Sequence, residues 1–168
     1  MTRIIETDRL YLREFNTNDA DFVLELLNSP GWLKFIGDRN IRTVEQAVTY
    51  LHDGPMKSYE MNGFGLSLVA LRNDDTPIGM CGLIRRETLE HVDLGFAFLP
   101  KYSGIGYAFE MASATLHYAL HHLKLQTILA ITIPNNVRSI NLLAKLGMHF
   151  EKVIQISPGD EELQLFSN

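Results

Sequence analysis

The hydrophobic period changes twice between residues 92 and 133, and this change constrains the fold more than any other feature. Apolar alternation over HVDLGFAFL predicts a strand that ends at residue 99, residues 106–123 repeat apolar positions at helical spacing, and residues 126–133 are rich in β-branched side chains. A strand, a helix and a strand in this order form a βαβ unit, whose strands run parallel with a right-handed crossover. The chain should therefore contain at least one parallel strand pair.

The segments outside this unit favour antiparallel pairing. GFGLSLVALR and PIGMCGLIRRE predict two strands that form a meander with the strand ending at residue 99, and residues 149–156 and 162–166 predict a closing hairpin. The predicted fold class is α/β of the α+β type. It has a mixed, mostly antiparallel twisted sheet of about seven strands, with a central parallel pair and about four flanking helices.

Near the N-terminus, residues 4–14 predict one strand, with Leu10 and Leu12 on the face opposite Tyr11 and Arg13. Helix boundaries follow from capping and breaking residues. These are N-caps at Thr17–Asp19, a stop at Ser29–Gly31, a capping box at Thr43 and Gln46, a break at Gly54–Pro55, an N-cap at Asn135 and a C′ glycine at Gly147.

Composition restricts the class of protein. The 168 residues are 46% apolar and show no linker or repeat, so we expect a single domain over 1–168. One cysteine, Cys81, allows no disulfide framework and suits a reducing compartment. The charged segment MTRIIETDRL and the lack of a long apolar run predict no export signal, no membrane anchor and a cytoplasmic location. A net charge of -5 argues against nucleic-acid binding.

Charge is unevenly distributed along the chain. Residues 101–150 carry four Lys or Arg against Glu110 alone, whereas the remainder is acidic. Either the few charges cluster by chance, or this segment binds an anion while the rest of the protein favours a cationic acceptor.

The stretch LPKYSGIGYAFE, residues 99–110, is the candidate anion site. A Walker loop would need Gly-Lys-Ser/Thr where Gly106 is followed by Tyr107, and a dinucleotide fingerprint would need a small residue at Phe109 and an acid further on. Both motifs fail. What remains is a turn of small residues that aims the N–H groups of a helix N-terminus at a group such as a pyrophosphate. The alternative is that Gly104 and Gly106 only supply positive φ angles for a tight turn.

The segment VDLGFAFLPKYSGIGYAFEM resembles the cofactor-binding motif of the GNAT superfamily of N-acetyltransferases: strand, Pro, Q/R-x-x-G-x-G/A, helix. Lys101 departs from the usual Gln or Arg. TDRLYLREFNTNDADFVLELL, and Asn136-x-x-Ser139 leading to KLGM, resemble the other two signatures of the Rim-type branch. Members of that branch acetylate N-terminal amines of ribosomal proteins, among other amines.

This resemblance implies a GNAT-like fold whose central parallel strands splay apart, with acetyl-CoA as the acetyl donor and no metal. The pantetheine would run beside residues 96–99, and the pyrophosphate would bind the backbone N–H groups of Ser103 to Tyr107. The cofactor-binding residues it implies are Phe96, Phe98, Leu99, Lys101, Ser103, Gly104, Ile105, Gly106, Tyr107 and Asn136.

Two residues are candidates for the chemistry. Asp93 matches the family's acidic residue on the strand before the loop and could be the base or hold a water, although Glu90 or His91 could serve instead. Many members protonate the leaving thiolate with a tyrosine, and Leu143 occupies that position here. Ser139, one turn earlier, could hydrogen-bond the sulfur; otherwise it is a helix-surface residue.

The predicted function is acetyl-CoA-dependent N-acetyl transfer to a primary amine by direct attack on the thioester, most simply to a protein N-terminal α-amine. The acceptor should lie between residues 28–42 and the strand at 92–98. Two alternatives stay open: acetylation of a small amine such as an amino acid, polyamine or aminoglycoside, and a non-catalytic CoA-binding module, which Leu143 suggests. The protein should be a monomer or a homodimer. His117 and His121 have a spacing that can bind zinc, but no third ligand is evident.

Overall fold

The computed structural model describes residues 2–168. The strands are β1 (Arg3–Glu6), β2 (Leu10–Arg13), β3 (Leu66–Leu71), β4 (Pro77–Ile84), β5 (Asp93–Phe98), β6 (Leu129–Thr132), β7 (His149–Ile154) and β8 (Leu163–Ser167). The helices are α1 (Ala20–Leu27), α2 (Pro30–Phe35), α3 (Val44–Leu51), α4 (Lys57–Asn62), α5 (Tyr107–His121) and α6 (Val137–Lys145).

All eight strands form one sheet in the order β1-β2-β3-β4-β5-β6-β8-β7. Every neighbouring pair is antiparallel except β5 and β6, which are parallel and joined through α5. The βαβ unit, the meander β3-β4-β5 and the closing hairpin β7-β8 are therefore confirmed. The sheet places its one parallel pair beside the start of α5.

Helices cover both faces of the sheet, because alternate strand residues point to opposite sides. Leu10, Leu12 and Val69 pack with residues of α5 and α6 in one hydrophobic cluster. Tyr11 and Leu68 pack with residues of α1 to α3 in a second cluster on the other face. The predicted alternation around Leu10 is confirmed. The sheet face that carries Leu10 packs against α5 and α6, and the face that carries Tyr11 packs against α1 to α3.

The prediction of one strand over residues 4–14 is wrong, because this segment is a hairpin of β1 and β2. The Thr7 N–H donates to the Leu10 carbonyl at 2.9 Å, and the Thr7 hydroxyl oxygen accepts from the Leu10 N–H at 3.1 Å, which closes the turn. No glycine or proline marks that turn, so the alternation alone did not reveal it. The extra strand brings the count to eight.

Three helix boundaries also differ from the predictions. α1 ends at Leu27, just before the predicted stop, but Pro30 then opens α2 at its first position, where proline's fixed φ and missing N–H cost little. Gly54–Pro55 do not end the helical region, because residues 52–56 form a π-helical turn that joins α3 to α4. The N-cap of α6 is Asn136, not Asn135.

Two predicted caps are confirmed. Thr43 and Gln46 form the reciprocal capping box of α3. Gly147 follows the end of α6 with a φ of +82°, as a C′ glycine does. Within residues 2–168, no helix is both long and apolar enough to cross a bilayer.

Candidate active site

The turn between β5 and α5 forms a cradle of free backbone N–H groups. Gly104 and Gly106 have φ angles of +76° and +91°, and Gly106 is the N-cap of α5. Within residues 2–168, no group accepts a hydrogen bond from the N–H of Gly104, Ile105 or Gly106. Tyr107 begins the first helical turn, whose N–H groups have no intrahelical acceptor. These free donors lie together at the positive end of the α5 dipole, an arrangement that suits an anion.

The side chains of the turn leave this cradle open. A Cβ built on Gly104 would meet nothing within 4 Å. Lys101 is exposed, with its ammonium 5.2 Å from the ring centroid of Tyr102. The N–H of Ser103 instead donates to the Pro100 carbonyl at 3.1 Å, so the free donors begin one residue later than predicted.

Next to the cradle, the two parallel strands separate. Asp93 and Leu129 are the paired residues of β5 and β6, and the Leu129 N–H donates to the Val92 carbonyl at 2.9 Å. Backbone groups alternate in direction along a strand, so those of Phe96 and Phe98 face the gap, whereas the Leu99 N–H donates to Ile78 on the β4 side. The gap offers an extended amide-bearing ligand unpaired backbone partners on β5.

Asp93 lies at the start of β5, on the sheet face that carries Ala97 and is covered by α1 to α3. Asp93 is 1% exposed. Arg86 donates hydrogen bonds to both of its carboxylate oxygens, from Nε to Oδ1 at 2.9 Å and from Nη2 to Oδ2 at 3.4 Å. Burial raises the pKa of Asp93 above its ordinary value, and the Arg86 charge opposes that rise. Asp93 is thus a buried, paired carboxylate whose two oxygens both accept hydrogen bonds from Arg86.

Arg86, the partner of the candidate residue Asp93, was not predicted from the sequence. It follows β4 in the segment Ile84-Arg85-Arg86-Glu87, seven residues before Asp93. A buried carboxylate requires a partner. An aspartate at an inward strand position was therefore the signal that a nearby arginine would pair with it.

The helix α6 and its N-cap carry three of the residues singled out in the sequence. Asn136 caps the helix, with its Oδ1 accepting a hydrogen bond from the Ser139 N–H at 3.2 Å. Ser139 is half-buried, and no described residue is a hydrogen-bond partner of its hydroxyl. Leu143 is 1% exposed and belongs to the hydrophobic cluster of α5. Leucine at this position is thus a packing residue with no proton to give.

The histidines of α5 stand apart from this arrangement. His117 and His121 lie near the C-terminal end of the helix, with ring centroids 4.3 Å apart. Among the residues that the structure describes, no group of three His, Cys, Asp or Glu side chains is arranged to hold a metal ion.

Comparison with known proteins connects this geometry to a family. Residues 9–149 match the sequence model of the acetyltransferase (GNAT) domain. The uncharacterized N-acetyltransferase YnaD of Bacillus subtilis is 30% identical over 147 residues, which cover 88% of this chain and 83% of YnaD.

Solved structures share the whole fold. An acetyltransferase of the GNAT family from Bacillus anthracis is 26% identical and superposes with a TM-score of 0.80, covering 99% of this chain and 98% of that one. RimL, a ribosomal-protein alpha-N-protein acetyltransferase in complex with coenzyme A, is 12% identical with a TM-score of 0.84, covering 99% and 97%.

Proposed function

The chain belongs to the GNAT acetyltransferase family and is an N-acetyltransferase, and we propose that it transfers the acetyl group of acetyl-CoA to the α-amine of a protein N-terminus. The observation that carries the donor half of this proposal is the open N–H cradle at Gly104–Tyr107 beside the splayed pair β5 and β6. The proposed acceptor rests on the Rim-type signatures and on the buried, Arg86-paired state of Asp93.

The donor half follows from complementary charge and shape. A pyrophosphate needs several donors that converge without side chains in the way, and Gly104 to Tyr107 present them. A pantetheine arm carries amides that can pair with the strand groups of Phe96 and Phe98. The relative in complex with coenzyme A has this fold, which agrees with the proposal. Bound acetyl-CoA supplies the thioester that the amine attacks.

Direct attack by the amine is favoured over an acyl-enzyme route. Cys81, the one cysteine, is fully buried, and its Sγ lies 3.4 Å from Thr115 Oγ1. Burial raises the pKa of the Cys81 thiol to about 12. A protonated, enclosed thiol cannot carry an acetyl group between two substrates, since the thiolate is the nucleophile.

The state of Asp93 favours an acceptor that loses its proton easily. An α-amine, with a pKa near 8, is neutral for about a tenth of molecules at pH 7, whereas a lysine or polyamine amine is neutral for fewer than about one in a thousand. Because Asp93 is buried and both of its oxygens accept from Arg86, we expect the proton to leave through water. A base that acts through water suits an α-amine.

We expect Ser139, and not a tyrosine, to donate a hydrogen bond to the leaving thiolate. Ser139 is half-buried and its hydroxyl has no partner among residues 2–168, so the hydroxyl is free to donate to the sulfur. A hydroxyl does not titrate near a thiol's pKa of about 8.5, so Ser139 orients and stabilises the sulfur by a hydrogen bond. The final proton then comes from solvent.

A matched pair of peptides tests the acceptor. One peptide carries a free α-amine and one lysine, and the second is identical but has its α-amine acetylated. Thiol release from acetyl-CoA is measured with both, together with spermidine and free amino acids.

The proposal predicts turnover with the free peptide and loss of that turnover when the α-amine is blocked. Equal turnover with both peptides would identify a lysine acceptor and contradict the N-terminal assignment. Turnover confined to spermidine or amino acids would establish the small-amine alternative. Binding of CoA with no turnover on any amine would indicate a non-catalytic module.

A further inference from the structure

Arg9 reaches the cradle from the β1-β2 hairpin, nearly a hundred residues away in sequence. Its Nη1 donates to the Ile105 carbonyl at 3.2 Å, and its guanidinium carbon lies 4.4 Å from the ring centroid of Tyr107. A Cβ built on Gly106 would lie 3.4 Å from Arg9 Nη2. One side chain thus contacts Ile105 and Tyr107 and lies beside Gly106 between them.

Glu110 fixes Arg9 in this position. Arg9 Nε donates to Glu110 Oε2 at 2.6 Å, and the Arg9 backbone N–H donates to Oε1 at 3.0 Å. The Thr7 hydroxyl also donates to Oε1 at 2.6 Å. Partial burial acts to raise the pKa of Glu110, but the hydrogen bonds from Thr7 and Arg9 outweigh it and lower that pKa. The carboxylate therefore stays ionised and keeps the guanidinium oriented down to acidic pH.

Apart from Tyr107, whose ring packs against the hydrophobic cluster of α5, the turn has few side-chain contacts of its own. Gly104 and Gly106 adopt left-handed backbone angles and carry no side chains, and glycine loses more conformational freedom on ordering than any other residue. Ile105 is 48% exposed, so it has no place in the core. A turn of this composition needs an external contact if its N–H groups are to be aligned before a ligand binds.

From these contacts we propose that Arg9 is a positioning residue, which holds the Ile105–Tyr107 turn in the conformation that binds the phosphates of acetyl-CoA. The inference rests on the proposed function, because it takes the cradle to be the phosphate site. Arginine suits this role because its planar fork can bond the Ile105 carbonyl and the Glu110 carboxylate at once while stacking on Tyr107.

Arg3 provides a closely matched control. It lies on β1 of the same hairpin, its guanidinium carbon sits 4.1 Å from the Tyr11 ring centroid, and it pairs with Glu6 and Asp75. Its side chain is 35% exposed, against 43% for Arg9. The two arginines therefore differ in one respect that matters here, which is contact with the turn.

The experiment compares CoA binding by calorimetry in the wild type, Arg9→Met, Arg9→Lys and Arg3→Met. Loss of a charged hydrogen bond and its alignment should raise the Kd of CoA about tenfold in Arg9→Met. Arg9→Lys should stay weakened, since lysine keeps the charge but cannot form both bonds. Arg3→Met should bind as the wild type does.

Amide exchange of the ligand-free variants supplies a second readout. The amide of Glu110, which donates to the Gly106 carbonyl at 3.0 Å, should exchange faster in Arg9→Met and Arg9→Lys, with no such change in Arg3→Met. If Arg9→Met fails to fold, Arg9→Lys and Glu110→Gln carry the comparison, and both should weaken CoA binding.

The outcomes separate the two proposals. A wild type that does not bind CoA would overturn the proposed function together with this inference. A wild type that binds CoA, with Arg9 variants that bind equally well, would overturn the inference alone. Full recovery of affinity in Arg9→Lys would also overturn it, because charge rather than alignment would then be the contribution of Arg9.

Discussion

The candidate donor site and the candidate acceptor site lie on the two sides of β5 and are formed by different kinds of groups. On the side of α5, the candidate donor site consists of backbone N–H groups at Gly104–Tyr107 and backbone groups of the splayed strands. On the side of α1 to α3, the candidate acceptor site consists of side chains, among which Asp93 is buried and paired with Arg86. The donor site therefore depends on backbone conformation, whereas the acceptor site depends on the identity of its side chains.

This difference explains why the donor is easier to identify than the acceptor. A backbone cradle tolerates side-chain changes such as Lys101 in place of the usual Gln or Arg, because the N–H groups remain where they are. An acceptor cleft changes its specificity whenever its side chains change. Substitutions should therefore damage the donor side through backbone strain and the acceptor side through lost charge or hydrogen bonds.

The largest effect is expected at Gly106. Its φ of +91° is accessible to glycine but strongly disfavoured for a β-branched residue, so Gly106→Val should distort the cradle and weaken CoA binding about a hundredfold. Gly159→Val is the matched control, because Gly159 has a φ of +87° and open space around it but lies outside the cradle. Calorimetry with CoA distinguishes them, and equal weakening in both would show that the position of the glycine does not matter.

Arg86→Met should have the next largest effect, this time on stability. The variant leaves the buried Asp93 carboxylate without its cation, which should lower the free energy of unfolding in urea by about 2 kcal/mol. Arg85→Met is the control, since Arg85 is exposed and forms no ion pair within residues 2–168. Adding Asp93→Asn to Arg86→Met should restore part of the loss; no recovery would mean that the pair is not the cause.

Asp93→Asn should separate chemistry from donor binding. We expect kcat to fall about tenfold while the Kd of CoA is unchanged, because a base acting through water contributes less than one in direct contact. In the wild type, kcat should decline as pH falls through the raised pKa of Asp93, since the protonated carboxyl cannot accept a proton. The variant should keep only the decline caused by protonation of the acceptor α-amine, whose pKa is near 8. Equal turnover and equal pH profiles would remove Asp93 from the mechanism.

Ser139→Ala should produce the smallest change. Loss of one neutral hydrogen bond to the sulfur predicts a kcat about threefold lower, with the Kd of CoA retained. Asn141→Ala, an exposed position on the same helix, should leave kcat unaffected. A Ser139→Ala enzyme as fast as the wild type would make Ser139 a helix-surface residue.

The features that sequence could predict were those encoded locally. The βαβ unit, the meander and the positive φ of Gly104 and Gly106 follow from periodicity and from glycine's conformational freedom. The helical opening at Pro30 was missed because proline marks both the start and the end of a helix, and its neighbours did not decide between them.

The features that sequence could not predict depend on contacts between distant segments. Arg9 and Glu110 are separated by 101 residues, and nothing near Arg9 indicates that it meets the turn after β5. Asp93 was identified from its motif, but its burial and its pairing with Arg86 depend on how β4 and β5 are packed under α1 to α3. Such pairings become visible only once the sheet order is known.

The most direct test of the donor site is amide exchange of the wild type with and without CoA. If backbone N–H groups hold the phosphates, CoA should slow exchange at Gly104, Ile105, Gly106 and Tyr107, because each N–H gains an acceptor. The glycine turn at residues 157–160 should be unchanged. Binding of CoA that protects another segment and leaves residues 104–107 unaffected would contradict the cradle as the phosphate site.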